Sequence, residues 1–92
     1  MLKDYLIERF IPGVELLTTE QYGEVRAKSN AVLEQLGPGI EWVSSLIVKD
    51  GTFCHYRALD EEIIREHARI SGFPANKISL ITNVLSPKTV AS

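Results

Sequence analysis

Residues 41–58, EWVSSLIVKDGTFCHYRA, decide the fold because they read as two strands joined by a tight turn. Both halves are rich in β-branched and aromatic residues, which favour strands. Between the halves lies Asp50-Gly51, a dipeptide typical of two-residue hairpin turns. The sequence therefore predicts an antiparallel pair of strands over residues 41–49 and 52–58.

On the C-terminal side of this hairpin the sequence predicts a helix and then a strand. Asp60 is a suitable N-cap, and Gly72 stops the helix after about Ser71. Residues 77–85, KISLITNVL, have the composition of a strand.

On the N-terminal side the order is strand and then helix. Residues 5–11, YLIERFI, predict the strand, which Pro12-Gly13 ends. Thr18 and Gln21 have the spacing of a capping box, and Gly37 lies where a helix C-cap is expected.

The resulting order, strand-helix-strand-strand-helix-strand, is the split βαβ arrangement of the α+β, ferredoxin-like fold. Right-handed crossovers place both helices on one face of a four-stranded antiparallel sheet, with the first and third strands central. We expect residues 1–92 to form a single domain, with residues 86–92 a loose C-terminal tail.

Composition excludes several classes of function. The net charge of −2 and the lack of a basic stripe argue against a nucleic-acid partner. No apolar run is long enough to cross a bilayer, so no membrane partner is expected. The N-terminus shows no signal peptide and the chain has a single cysteine, which together predict a cytoplasmic protein.

The second strand is apolar on both sides, which predicts self-association. Strict alternation puts Trp42, Leu46 and Val48 on one side, with Val43 and Ile47 on the other. The strand predicted over residues 77–85 is similarly apolar, and one face of this sheet carries no helix. We therefore expect a homodimer packed through sheets or sheet edges, the alternative being that the C-terminal tail covers part of that face.

The side chains with the richest chemistry lie in residues 53–74, which hold the only cysteine, Cys54, and both histidines, His55 and His67. His67 belongs to the apolar stripe of the second helix, so we expect it to face the sheet. A buried imidazole needs a partner, which is either a carbonyl oxygen or a metal ion.

Alternation along the third strand places Cys54 and Tyr56 on one side and His55 on the other. If Cys54 and Tyr56 face the helices, Cys54 can meet His67 inside the domain. If His55 faces the helices, Cys54 lies on the open face, where a second copy can bring its own thiol. The sequence leaves both arrangements open.

The first strand carries Glu8 and Arg9 on opposite sides although it is predicted to be central. A charge on a central strand is costly unless it is paired or bound to a metal. Glu8 is therefore a candidate oxygen ligand, and Arg9 a candidate for holding an anionic ligand. The alternative is that both side chains lie near the strand end and reach solvent.

Three stretches of the chain are characteristic: YLIERFIPG, SNAVLEQLGPGIEWVSS and, above all, the pattern C-x-Y-x-A-x-x-E-x-x-x-x-E-H-A-x-x-x-G-F-P. That pattern is carried here by Cys54, Tyr56, Ala58, Glu61, Glu66, His67, Ala68, Gly72, Phe73 and Pro74. In these stretches the chain resembles a family of small bacterial nickel-binding proteins with a ferredoxin-like fold. The resemblance implies a dimer that binds Ni(II), with Cys54 and His67 as the matching ligands. This chain departs from the family pattern at His55, where an apolar residue is common.

These observations lead to a small non-catalytic protein that binds Ni(II) or a similar divalent transition metal. His67 and Cys54 are the expected first ligands, Glu8 and His55 the further ones. Tyr56 and Arg9 would orient the site. A mixed nitrogen, sulfur and oxygen shell suits such metals.

Two other classes of function stay open. One is a dimeric enzyme of the monooxygenase or isomerase type that acts on an apolar small molecule, with His67 as general base. The other is an interaction module without a ligand.

Overall fold

The predicted α+β, ferredoxin-like arrangement is confirmed by a computed structural model, which describes residues 1–88. Its helices and strands are β1 (Lys3–Phe10), α1 (Thr19–Leu36), β2 (Ile40–Val48), β3 (Gly51–Ala58), α2 (Glu61–Ser71) and β4 (Lys77–Leu80). A short 3-10 turn, Val14–Leu16, links β1 to α1. The sheet has the order β2-β3-β1-β4, with every pair antiparallel, so β1 and β3 are central as predicted.

Residues 86–88 of the predicted tail lie outside helix and strand, and residues 89–92 lie outside the described residues. Within residues 1–88, no helix is long and apolar enough to span a membrane.

Local capping chemistry sets both helix starts, as the sequence predicts. Thr18 and Gln21 form the reciprocal capping box: the Thr18 hydroxyl accepts from the Gln21 backbone at 3.1 Å, and the Gln21 side chain accepts from the Thr18 backbone at 2.9 Å. The Asp60 carboxylate accepts from the Ile63 backbone N–H at 3.0 Å and starts α2. Each cap satisfies a backbone donor that the first helical turn leaves unpaired.

The hairpin turn lies one residue earlier than predicted. Lys49 and Asp50 form the turn, and Gly51 already pairs with Val48 in the ladder. A Cβ atom on Gly51 would stand 2.6 Å from the backbone oxygen of Arg9 on β1. Glycine is thus required here by the close approach of β1.

A β-bulge in β2 changes which side chains share a face. The register shifts between Trp42 and Ser44, so Val43 is the extra residue. Trp42 therefore lies on the same side as Ser45 and Ile47, and not with Leu46 and Val48 as simple alternation predicts.

β4 is shorter than the predicted strand over residues 77–85. It pairs with β1 only from Glu8↔Lys77 to Tyr5↔Leu80, and Ile81 adds one more backbone bond to Asp4 at 2.9 Å. Because the two strands are antiparallel, continuing this register past Ile81 would bring Thr82 opposite Lys3, the first residue of β1. Residues 83–85 have no partner on β1, and their strand composition cannot replace it.

The sheet has two chemically different faces. The helix face, which packs against the helices, carries the buried Tyr5, Ile7, Arg9, Cys54 and Tyr56. The open face, formed by the alternate residues, has no helix over it.

α1 covers the helix face incompletely. Its buried residues are Ser29 and Val32, whereas Val25, one turn before Ser29, is exposed. The apolar stripe of its first half therefore faces a space above the sheet instead of a packed layer.

Candidate functional site

His67 lies at the centre of a buried polar cluster between α2, α1 and β3. Its side chain is 0% exposed, as its place in the apolar stripe predicts. Its Nε2 is 3.3 Å from the Ser29 hydroxyl, which is in turn 3.5 Å from the Tyr56 hydroxyl. The Tyr56 and His67 rings are tilted, with centroids 5.5 Å apart. Within residues 1–88 the other ring nitrogen, Nδ1, has no hydrogen-bond partner.

The environment of His67 keeps the imidazole neutral. Burial, followed by the nearby positive charge of Arg9, lowers the pKa of His67 to about 4. At neutral pH the ring therefore carries a single proton and has one nitrogen lone pair. Tyr56 is also kept neutral, because burial raises the pKa of its phenol.

Arg9 lies on the helix face and is only 5% exposed. Its Nη1 donates to the backbone oxygens of Phe73 at 3.2 Å and Pro74 at 2.8 Å, just after α2. The guanidinium also lies 5.8 Å from the centroid of the Tyr56 ring. No ion pair joins it to a carboxylate within the part of the chain that the structure describes.

Cys54 also faces the helices, which settles the alternative that the sequence left open. It is a buried free thiol, and its sulfur accepts from the Ser45 hydroxyl at 3.0 Å. The Thr52 hydroxyl lies 3.3 Å from the same sulfur, and Trp42 Nε1 donates to Ser45 at 2.9 Å. Cys54 is therefore engaged by hydroxyl groups of β2 and β3, not by His67.

His55 and Glu8 lie on the open face, away from these residues. His55 Nε2 is 2.8 Å from the Asp4 carboxylate, and Arg57 approaches the same carboxylate at 3.6 Å. Glu8 lies 4.0 Å from the Lys77 ammonium, at the limit of an ion pair. Both groups are partly exposed.

The six residues singled out from the sequence are thus divided between the two faces. The helix side holds Arg9, Cys54, Tyr56 and His67; the open face holds Glu8 and His55. Among residues 1–88, no three His, Cys, Asp or Glu side chains gather closely enough to hold a metal ion.

Sequence reasoning missed Asp4, the partner of His55, and the role of Ser29 and Trp42. The position of Asp4 could have been predicted, because antiparallel pairing of β1 with β3 places residues 4, 6 and 8 on the same face as His55. The position of Trp42 could not, because the bulge in β2 moves its side chain to the opposite face of the sheet.

Comparisons with known proteins place the chain in a family. The family model described as "Nickel responsive protein SCO4226-like" matches residues 5–81. The chain belongs to this family. It is also similar to the crystal structure of SCO4226 from Streptomyces coelicolor A3(2), with a TM-score of 0.69 and 14% sequence identity over 89% of this chain and 99% of that chain. At that identity the likeness shows the fold alone. No curated protein matches the chain.

The two faces of the sheet in this SCO4226-like chain differ in how well their donor atoms suit nickel. Inside the domain, the chemistry does not fit a cation: Arg9 is positively charged, its field already disfavours a charge on His67, and the Cys54 thiol is hydrogen-bonded elsewhere. On the open face, His55 and Asp4 supply an imidazole nitrogen and a carboxylate oxygen side by side. These are ligand types that Ni(II) accepts, but two donors alone do not complete a coordination shell.

Proposed function

We propose that this chain is a non-catalytic protein that binds Ni(II) or a similar divalent transition metal through His55 and Asp4 on the open face. The proposal is supported by the nickel-responsive description of the family and, above all, by the 2.8 Å contact between His55 and Asp4. It changes the ligand set expected from the sequence, which gave first place to His67 and Cys54.

Electrostatics favours the open face over the interior. A metal ion bound to His67 would share a low-dielectric interior with the guanidinium of Arg9, where like charges repel strongly. No carboxylate pairs with Arg9 in residues 1–88 to compensate. Asp4, in contrast, is an anion beside a partly exposed imidazole, so a cation there is stabilised by charge and loses little hydration. The Arg57 guanidinium lies 3.6 Å from the same carboxylate, but it is half exposed and also approaches Glu41 at 3.8 Å, so its repulsion is screened by water and by a second carboxylate.

A second copy of the chain would supply the missing ligands. Two copies related by a two-fold axis across the open face would bring two imidazoles and two carboxylates together. The same face exposes Phe10, Leu46 and Phe53, an apolar area that favours burial. We therefore propose a homodimer whose metal ligands come from both subunits.

We place this protein in the cytoplasm. The support is the single cysteine, Cys54, which gives no internal disulfide framework of the kind that secreted small domains rely on.

The enzyme hypothesis depended on His67 lining a cavity of substrate size. The helix face does have a cavity, and Ser29 and Tyr56, which neighbour His67, are among the residues that line it, but His67 is not. No other observation favours catalysis, so we retain metal binding as the single proposed function.

Calorimetric titration with NiCl₂ of tag-free, metal-free protein tests the ligand set. We expect the wild type to bind, and His55→Ala and Asp4→Asn each to weaken binding at least about tenfold through loss of a ligand. His67→Gln and Cys54→Ser are the matched interior variants, and we expect both to bind like the wild type.

Two results would contradict the proposal. Loss of binding in His67→Gln or Cys54→Ser, with His55→Ala unaffected, would return the site to the interior. Equal binding by all four variants would remove the metal site from both faces.

A further inference from the structure

A cavity of about 440 Å³ lies on the helix face, between the sheet, the 3-10 turn and the first half of α1. It is the space that α1 leaves uncovered, and its size is in the range of small-molecule sites. Most of its wall is apolar and partly aromatic, formed chiefly by Val14, Leu17, Tyr22, Val25, Trp42 and Ile47. Such a wall suits an apolar ligand body.

The charge in this cavity is entirely positive. Arg9 and Arg26 line it, and no Asp or Glu of the described residues does. Arg26 is exposed on α1, whereas Arg9 is buried at the sheet. The cavity therefore favours an anion whose charged end reaches inward to Arg9.

Arg9 has unused hydrogen-bonding capacity. Nη1 is held by the Phe73 and Pro74 carbonyls, but Nη2 is buried without a partner within residues 1–88. A guanidinium cannot escape this state by losing its proton, because it stays charged at any ordinary pH. A buried cation that lacks a counter-charge is costly, so an anionic ligand would be stabilised strongly here.

We infer that this cavity binds a small carboxylic acid with an apolar, preferably aromatic, body. The carboxylate pairs with the guanidinium of Arg9, which lines the cavity, and the body lies against Tyr22, Trp42 and Val25. The neutral hydroxyl groups of Tyr56 and Ser29, which also line the cavity, are further donors within the wall.

The carboxylate is favoured over a phosphate because Arg9 is the only buried cation among the lining residues and half of its outer donors are already engaged. A phosphate dianion needs more donors and more positive charge than this. A divalent metal is excluded by the same positive charge. The site is independent of the proposed nickel site, since Arg9 and His55 lie on opposite faces of the sheet.

Two-dimensional NMR titration of the isotope-labelled full chain, with naphthylacetate and naphthylacetamide as probes, tests this inference. The two probes have the same ring system and differ in the charge of the head group. We expect naphthylacetate to shift the amide signals of Ser29, Trp42 and Tyr56. Naphthylacetamide should bind at least about tenfold more weakly, because its neutral head group cannot form the charged hydrogen bond with Arg9. Equal affinities, or no binding of the acid at millimolar concentration, would overturn the inference.

Two variants test whether Arg9 is the positive charge that selects the acid over the amide. Arg9→Gln should bind the acid and the amide alike, whereas Arg57→Gln, which removes one positive charge from the open face, should keep the wild-type preference. Retention of that preference in Arg9→Gln would overturn the role of Arg9. If Arg9→Gln does not fold, the acid–amide comparison in the wild type still decides. Naphthyl phosphate binding more tightly than naphthylacetate would overturn the choice of carboxylate.

Discussion

At the scale of single residues, two buried side-chain nitrogen atoms have no hydrogen-bond partner within residues 1–88: His67 Nδ1 and Arg9 Nη2. The two groups differ in how they tolerate this. His67 is neutral, which lowers the energetic cost of burying an unpaired nitrogen. Arg9 stays charged, so its unpaired nitrogen is the more costly one and is the one that a ligand would stabilise most.

The neutral state of His67 predicts a pH dependence of stability. Its pKa is about 4 in the folded protein and near 6.5 when unfolded, so between these values the unfolded chain binds more protons. The free energy of unfolding therefore rises with pH across this window. Between pH 7.5 and about pH 4.5, His67 should account for a loss of roughly 2–3 kcal/mol.

Urea unfolding of the wild type and His67→Gln at the two pH values measures this effect. Other groups titrate equally in both proteins, so the difference between the two pH-induced losses isolates His67. We expect His67→Gln to lose less stability on acidification by about the same 2–3 kcal/mol. Identical losses in the two proteins would show that His67 titrates normally in the folded state.

Ser29 provides the hydrogen bond on which the cluster depends. Ser29→Ala removes the 3.3 Å partner of His67 Nε2 and leaves both ring nitrogens unpaired in the interior. We expect a loss of about 1–3 kcal/mol in the free energy of unfolding, the usual cost of a buried unsatisfied group.

Asn30→Ala is the matched control, because it changes an exposed neighbour in the same helix and has the same kind of effect on helix propensity. Thermal or urea unfolding should show no loss for this variant. A Ser29→Ala protein as stable as Asn30→Ala would mean that the hydroxyl does not support His67.

At the scale of elements, the β2–β3 hairpin and β1 are joined by a backbone contact that only glycine permits. Gly51→Ala would bring a Cβ to 2.6 Å from the Arg9 carbonyl, so the central strands must shift. We expect a loss of about 1–3 kcal/mol in the free energy of unfolding, as for overpacking in a core.

Gly23→Ala makes the same chemical change with the opposite expected sign. In α1 the added Cβ would meet only the Arg26 side chain, at 4.0 Å, and alanine is the better helix former by about 1 kcal/mol. Urea unfolding of both variants checks the pair. A stabilised Gly51→Ala protein would contradict the close approach of β1 and β3.

These elements also show what the sequence can predict. Helix starts were predictable at Thr18 and Asp60 because a cap involves only residues three apart. The face occupied by Trp42 and the end of β4 at Leu80 were not, since each is decided by pairing with another strand.

The same division applies to the candidate site. The burial of His67 follows from the spacing of its own helix. The Asp4–His55 pair and the cavity beside Arg9 require the strands to be assembled.

At the scale of the whole molecule, the sheet separates two candidate ligand sites. The helix face holds a positive, apolar cavity, and the open face holds the partly exposed His55–Asp4 pair next to apolar side chains. One subunit forms the first site alone, whereas in the proposed dimer the second site takes ligands from both copies. Binding of Ni(II) and self-association of the chain should therefore be thermodynamically linked.

Sedimentation velocity with and without Ni(II) measures this linkage. If metal ligands come from both copies, Ni(II) must strengthen the dimer by the same free energy with which dimerisation strengthens Ni(II) binding. Leu46→Glu, at a side chain 68% exposed on the open face, should weaken the dimer in both conditions. Leu16→Glu, at a side chain 80% exposed in the 3-10 turn, is the control and should change neither.

His55→Ala separates the contribution of the metal from that of the apolar surface. This variant should dimerise like the metal-free wild type and lose the response to Ni(II), because the apolar side chains stay in place while a ligand is removed. Dimerisation of Leu46→Glu equal to that of the wild type would move the interface away from the open face. If Ni(II) does not change the dimer affinity of the wild type, each subunit binds its metal alone. The proposal of a shared site would then be wrong even if His55 is a ligand.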